Sequence, residues 1–293
     1  MASRFRVTGK RACDLFARIP RACAGFCIAG DRQEAMSATP PNMGLAMPRM
    51  TASSSLAATA VRVAEISFNP SSYELPVRPR SVVNQGTLPC CVSTALGGAM
   101  EIINSSWPQL APLFHYYVTR FDNGGADAEG FLYLESGLAT LTRAGICSEK
   151  LHPQPYTLEG ASTKPTSDAY ADAKTRALGR RHDRSRYSSS DGPSKAVWIR
   201  QQLKDNCPVV LGFQLPDGYP NFFLDANLEW RDPNTPPRTL SGHCVLVTGY
   251  DDTRQALHIQ DSKGEESFKK GCWWMSYFVV DSTVVQQVYR LIP

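Results

Sequence analysis

The chain has 293 residues, of which 42% are hydrophobic and 20% are charged, and its formal net charge is +4. These values are typical of a globular protein with one or two domains, and they exclude collagen-like, disulfide-framework and largely disordered classes. The modest charge does not require a nucleic-acid partner, and no apolar run approaches the roughly 18 to 20 residues that cross a bilayer. Neither a nucleic-acid partner nor a membrane span is therefore expected.

The nine cysteines are odd in number and do not show the paired spacing of a zinc site. Several of them lie beside apolar runs, where a free cysteine behaves as a small buried hydrophobe. This usage favours a reducing, cytoplasmic location. A basic start followed by a short apolar run keeps secretion as the alternative. We predict no metal site and no cofactor.

Residues 1–63 lack sustained periodicity and contain tracts of serine, alanine, threonine and proline. This composition predicts a disordered or leader segment, followed by one folded domain over residues 64–293. The first part of that domain favours helices at residues 91–103, 113–121 and 131–144. The polar, serine-rich and arginine-rich segment 164–193 predicts a solvated loop or insertion.

The second part of the domain favours a helix at residues 196–205 and then a series of strands. Apolar and β-branched runs predict strands at residues 208–213, 244–249, 256–260 and 273–280. Helices first and strands afterwards predict an α+β fold with two packed subdomains. A cleft between two such subdomains is the natural place for an active site.

Cys91 is the candidate nucleophile of this domain. It stands at the start of the predicted helix 91–103, where first-turn N–H groups can stabilise a thiolate. His243 lies at the beginning of an apolar strand, which suits a general acid or base that must be held rigidly. Asp261 ends the next strand, eighteen residues later, and a carboxylate there can orient the histidine. Each residue alone has an ordinary structural explanation, so the argument depends on the three together.

Three sequence elements carry a resemblance to the papain family of cysteine peptidases. Residues 83–91, Val-Asn-Gln-Gly-Thr-Leu-Pro-Cys-Cys, resemble its Gln-Gly-x-x-x-x-Cys motif, with Gln85 six residues before Cys91. Residues 243–250, His-Cys-Val-Leu-Val-Thr-Gly-Tyr, resemble its histidine strand. Residues 259–264, Ile-Gln-Asp-Ser-Lys-Gly, resemble its Asn-Ser-Trp-Gly element, with Asp261 in the asparagine position and Lys263 in the tryptophan position. The resemblance covers roughly residues 75–277.

This resemblance implies a helical left subdomain, a β-rich right subdomain and an active site in the cleft between them. It also implies a cysteine-type peptidase that acts on peptide or protein substrates through a thioacyl intermediate on Cys91. His243 would be the proton partner, Asp261 would orient it, and Gln85 would donate to the oxyanion. Gly130 and Gly242 are the candidate substrate-binding residues. A papain-fold acyltransferase or deamidase, and a catalytically inactive peptide-binding relative, remain as alternatives.

Overall fold

A computed structural model describes residues 45, 70–127, 129–179, 185–188, 192–219, 228–235 and 238–292. All of them belong to one compact unit that spans residues 40–293. The predicted leader, residues 1–63, lies outside the described residues except for Leu45. Leu45 is buried in the hydrophobic core of the unit.

The helices precede most of the strands along the chain, as expected. The α-helices are α1 (Cys91–Ile103), α2 (Pro112–Tyr117), α3 (Leu134–Arg143), α4 (Leu158–Ser162), α5 (Ser167–Lys174), α6 (Lys195–Lys204) and α7 (Tyr277–Asp281). A π-helical turn, Val118–Asp122, continues α2, and a 3-10 turn spans Glu149–Leu151. The strands are β1 (Ser72–Glu74), β2 (Ser185–Arg186), β3 (Val209–Pro216), β4 (Glu229–Trp230), β5 (Arg238–Asp251), β6 (Ala256–Gln260), β7 (Cys272–Ser276) and β8 (Val285–Arg290).

These strands form one sheet in the order β2-β8-β3-β5-β6-β7-β4, and β1 pairs with β5 outside that path. The pairs are antiparallel except for β4 with β7. The long strand β5 lies in the middle, between β3 and β6, and α1 packs against it. Because the neighbours on both sides hydrogen-bond to β5, its residues are held more firmly than those of an edge strand. The predicted α+β fold, helical first and β-rich afterwards, is confirmed.

Helix α1 is buried because its residues are small or apolar around most of its circumference. Val92, Leu96, Ala99 and Met100 are fully enclosed. An added Cβ at Gly98 would lie 3.2 Å from a methyl group of Leu246 on β5, so the glycine permits this close approach of helix and sheet. The position of α1 against β5 brings the start of the helix close to the residues at the centre of that strand.

Two predicted elements were wrong. The segment predicted as a solvated loop, 164–193, contains α5, which begins at an N-cap where the Thr166 hydroxyl accepts from Ala169 N–H. The buried face of that helix consists of Ala169 and Ala173. Two alanines do not give the periodic pattern of large apolar residues from which a helix is predicted. The predicted strand 273–280 stops at Ser276, because the Ser276 hydroxyl caps Val279 N–H and starts α7.

None of the helices in the described part of the chain is both long enough and apolar enough to span a membrane.

Gly145 ends α3 and fixes the contact between α3 and α5. Its φ is +73°, and its N–H donates to the carbonyls of Thr140 and Leu141. A Cβ at this position would overlap the carbonyl oxygen of Ala173. We expect Gly145→Ala to lower the free energy of unfolding by about 3 kcal/mol or more, because left-handed backbone strain adds to a clash with backbone atoms.

Gly124→Ala is the matched control for this prediction. Gly124 also has a positive φ, +59°, but no atom lies within 4 Å of an added Cβ. This variant should lose only about 1 kcal/mol, the usual cost of a left-handed alanine. Urea unfolding of both variants measures the difference. Equal losses would contradict the proposed contact between α3 and α5.

Candidate active site

Cys91 is the first residue of α1, and its side chain is completely buried. Its thiol lies against the backbone N–H of Cys244, the residue that follows His243 on β5. Burial raises the pKa of the Cys91 thiol well above its usual range, and the Cys244 N–H opposes that rise. The thiol is therefore neutral in this enclosed arrangement and needs a base to ionise.

His243 presents one ring nitrogen to Asp261 and keeps the other available. Its Nε2 lies 3.0 Å from Asp261 Oδ1, and since a carboxylate only accepts, Nε2 carries the proton. Nδ1 is buried and has no hydrogen-bond partner among the described residues. In the neutral ring this nitrogen is an acceptor, so it can take a proton from a neighbouring thiol.

The carboxylate of Asp261 is buried but fully supplied with donors. Oδ1 accepts from His243 and from the Ser262 N–H, at 2.7 Å. Oδ2 accepts from the Tyr219 hydroxyl and from Trp273 Nε1, the latter at 2.8 Å. Burial alone would raise the pKa of Asp261, but the charge of His243 and the bonds from His243, Tyr219 and Trp273 hold that pKa below its usual value. Asp261 is therefore an anion that stabilises a protonated His243.

Aromatic rings enclose the pair formed by His243 and Asp261. The rings of Tyr219 and Phe213 lie 5.4 and 5.6 Å from the imidazole, measured between centroids. Trp273 closes the same side from β7 and is 1% exposed. These rings exclude water from the histidine–aspartate bond. Lys263 does not shield that bond, and its ammonium instead donates to the carbonyl of Gly86, at 3.3 Å.

Gln85 is tied to the same backbone segment that carries Asp261. Its backbone N–H donates to the carbonyl of Ser262, at 2.9 Å, and its side-chain oxygen accepts from the Ser262 hydroxyl. Its Nε2 donates to the carbonyl of Leu88, at 2.6 Å. The amide of Gln85 is fully buried. These bonds fix it against Ser262, the residue after Asp261, which bonds to His243.

Leu45 lies beside His243 and pairs with two different segments of the chain. Its N–H donates to the carbonyl of Gly242, at 3.3 Å, and it forms bridges with Gly242 and with Leu132, just before α3. Gly242 therefore pairs with another residue of the chain itself, Leu45. Gly130 occupies a turn with φ +89°, where its carbonyl accepts from Tyr116 OH, and it precedes Leu132 by two residues. Substrate binding at Gly130 and Gly242 stays a prediction.

Other histidines have ordinary structural roles. His115 bonds to Ser93 Oγ at 2.8 Å and to the Gly137 carbonyl at 2.9 Å, and burial lowers its pKa to about 4. His258 bonds to Thr248 on the neighbouring strand. Neither has the strand-end carboxylate that supports His243.

Comparisons with known proteins agree with the fold. A family profile described as "Peptidase_C39 like family" matches residues 152–279. The structure is similar to xylellain, a cysteine protease from Xylella fastidiosa, with a TM-score of 0.62 and 24% identity over 76% of this chain and 86% of that one. It is also similar to the cysteine protease CMS1MS2 of Carica candamarcensis, with a TM-score of 0.52 and 14% identity over 76% and 98% of the two chains.

Digestive procathepsin L 3 of Tenebrio molitor gives a TM-score of 0.56 at 16% identity, over 86% of this chain and 76% of that one. No curated protein sequence matches the chain. The chain has the papain-like fold. The papain-like architecture that the resemblance of three short motifs implies is thus confirmed. At these identities the likeness establishes the fold, and the chemistry of the site is argued separately.

Sequence reasoning missed part of the candidate site. Tyr219 stands at the end of a turn after β3, and nothing in its surroundings marks it as a partner of Asp261. The hydrogen bond between Ser262 and Gln85 joins residues 177 positions apart, so neither residue points to the other in the sequence. The resemblance did supply one signal. With Lys263 in the tryptophan position, water is excluded from the histidine–aspartate bond only if Trp273 or Trp274 substitutes, and Trp273 is the residue that bonds to Asp261.

The hydroxyl of Tyr219 should help to keep Asp261 ionised in this site. Because the pKa of Asp261 is lowered in the folded state, its contribution to stability is present above its ordinary pKa of 3.8 and is lost as pH falls through the folded-state value. Tyr219→Phe removes one donor and raises that folded pKa. We expect a loss of roughly 1 to 2 kcal/mol at neutral pH. In acid, the stability due to Asp261 still starts to fall near the ordinary pKa of 3.8, but less of it is lost than in the wild type, because the interval down to the folded-state pKa is narrower.

Unfolding midpoints measured from about pH 7 to about pH 3 check this prediction. Tyr277→Phe is the matched control, because Tyr277 OH donates to Asp252 Oδ1, at 2.7 Å, away from the site. The control should leave the pH dependence due to Asp261 unchanged. If both variants shift the acid limb equally, the hydroxyl of Tyr219 has no specific part in ionising Asp261.

Proposed function

We propose that the protein is a cysteine-type peptidase in which Cys91 attacks the carbonyl carbon of a peptide bond. The observation that carries this proposal is one connected set of groups. The thiol lies against the Cys244 N–H, the adjacent His243 has one nitrogen held by Asp261 and the other without a described partner, and Gln85 is bonded to the residue after Asp261. The peptidases of similar fold support the choice of acyl-transfer chemistry.

In the first half of the proposed reaction, His243 Nδ1 takes the thiol proton as the Cys91 sulfur attacks the substrate carbonyl. The carbonyl oxygen becomes an oxyanion, which accepts from the backbone N–H of Cys91 and from the amide of Gln85. The imidazolium then gives its proton to the leaving amine. Asp261 stabilises the imidazolium in this step without taking its proton.

In the second half, a water molecule attacks the thioester carbonyl and His243 Nδ1 accepts its proton. The tetrahedral intermediate collapses, the carboxylic acid product leaves, and the sulfur recovers the proton from the imidazolium. An amine that replaced this water would give a transferase product. The site residues serve either acceptor equally, so the acceptor has to be identified by experiment.

The test of this function is to incubate the protein with a randomised peptide pool and to identify new termini by mass spectrometry. Wild type should generate cleavage products, and Cys91→Ala should generate none. Cys90→Ala is the matched control, because burial raises the pKa of the Cys90 thiol to about 12 and its sulfur contacts Thr94. The control should retain cleavage.

The same incubation with an added primary amine separates the alternatives. Amide products in place of free carboxylates would indicate an acyltransferase. A wild type that produces neither cleavage nor amide products, at any pH at which it is folded, would contradict the peptidase proposal and favour a peptide-binding relative.

Replacement of Gln85 tests the proposed oxyanion donor. An amide that donates mainly in the transition state contributes to kcat more than to substrate binding. We expect Gln85→Ala to lower kcat by roughly 10- to 1,000-fold with little change in KM. Ser262→Ala removes the hydrogen bond from the Ser262 hydroxyl to the Gln85 side-chain oxygen but keeps the Gln85 amide, so it should have a smaller effect. A change confined to KM would assign Gln85 to substrate binding instead.

A further inference from the structure

Lys263 is a cation held against the loop that leads into helix α1. It forms a backbone bridge with Asn84, and its ammonium donates to the carbonyl of Gly86, at 3.3 Å. Gln85, the proposed oxyanion donor, lies between these two residues, and Cys91 begins α1 soon after them. A positive charge is therefore fixed beside the segment that connects Gln85 to the proposed nucleophile.

The ammonium of Lys263 has no carboxylate partner among the described residues. The exposed carboxylates of Glu265 and Glu266 follow it closely in the chain without pairing to it, and both oxygens of Asp261 accept from other donors. Lys263 is half-buried, and burial is the main cause that lowers its pKa. A cation that is partly buried without an ion pair, next to a reactive group, is a candidate for a functional role.

The charge of Lys263 acts on the same thiol as the charge of Asp261, with the opposite sign. Lys263 interacts electrostatically with Asp261, Cys91 and Cys90. The carboxylate of Asp261 stabilises a protonated His243, but it also raises the pKa of the Cys91 thiol and so disfavours the thiolate. A nearby cation has the reverse effect on the thiol. Compared with the papain motif, Asp261 adds a negative charge and Lys263 adds a positive one, so the net charge of the segment is unchanged.

The other titratable groups around the thiol do not supply this positive charge. They come from the residue before α1, from α2, from β5 and from the turn after β3: Cys90, Tyr116, His243, Cys244 and Tyr219. Burial raises the pKa values of the two cysteines and the two tyrosines, so these four are neutral near pH 7. His243 is a cation only while it holds a proton. Lys263 therefore adds a positive charge that does not depend on proton transfer from Cys91.

We propose that Lys263 is a positioning residue for the nucleophile, because its charge offsets that of Asp261 at Cys91 and favours the thiolate. The proposal rests on the proposed function for the role of Cys91 as the nucleophile. Ionisation of the thiol, however, is measurable without any substrate.

The test follows alkylation of Cys91 by iodoacetamide in the full chain from about pH 5 to about pH 10, with tandem mass spectrometry to separate Cys91 from Cys90. Only the thiolate reacts, so the rate rises with pH towards a plateau at which the thiol is fully ionised. Loss of the cation raises the pKa of Cys91, and we expect Lys263→Gln to react roughly 3- to 10-fold more slowly than wild type below the plateau. The two rates should converge as the plateau is approached.

The choice of variants separates charge from hydrogen bonding. Lys263→Gln keeps a donor for the Gly86 carbonyl but not the charge, whereas Lys263→Arg keeps the charge and should stay within about twofold of wild type. Lys269→Gln is the matched control, because it removes one positive charge from an exposed residue whose charge acts on His258 instead. The control should leave the Cys91 profile unchanged. A cooperative thermal transition shows that each variant has folded.

Cleavage assays on the same proteins separate this inference from the proposed function. Slower alkylation of Lys263→Gln below the plateau, without any cleavage by wild type, would support the role of Lys263 and contradict the peptidase. Cleavage by wild type, with superimposable alkylation profiles for wild type and Lys263→Gln, would overturn the role of Lys263 alone.

Three further outcomes would also overturn the role of Lys263. In the first, Lys269→Gln shifts the profile as much as Lys263→Gln, which would indicate an effect of net charge. In the second, Lys263→Arg reacts as slowly as Lys263→Gln. In the third, Lys263→Gln lowers the rate by the same factor at every pH, plateau included, because that pattern reports access to the thiol and not its ionisation.

Discussion

The buried carboxylate of Asp261 is the constraint around which the site is organised. An unpaired anion in the interior would cost far more than the protein's net stability, so the surrounding structure must supply donors to it. It does so from four places: His243 on β5, Ser262 in the following turn, Tyr219 after β3, and Trp273 on β7. Strands that meet at Asp261 therefore have to keep their register, because a slip would remove a donor from the charge.

The same segment links the histidine to Gln85, the proposed oxyanion donor. Asp261 holds the imidazole, and Ser262, its neighbour in the chain, holds Gln85 through both backbone and side chain. The start of α1 and the end of β6 are thereby fixed relative to one another. His243 and Gln85, which come from distant parts of the chain, are thus held by one turn, residues 261 and 262. A folded protein can fix the geometry of a site in this way before a ligand binds.

Much of this arrangement could be predicted from the sequence, and the limits have physical causes. Helix α1 and strand β6 have the predicted bounds, since each has an uninterrupted local pattern. The α+β order and the residues Cys91, His243, Asp261 and Gln85 followed from three local motifs. Tyr219 could not be identified, because its importance comes from a contact with Asp261, distant in the chain, that leaves no local signal. Helix α5 was missed because it buries only alanines.

Leu45 belongs to the same polypeptide as Gly242 and Leu132, the two residues with which it pairs, and this has a consequence in solution. A separate inhibitor is lost on dilution, whereas a covalently attached occupant stays at the same effective concentration at every protein concentration. The fraction of molecules in which Leu45 pairs with Gly242 is thus set by a unimolecular equilibrium. A peptide that paired with Gly242 in its place would shift that equilibrium by its own affinity.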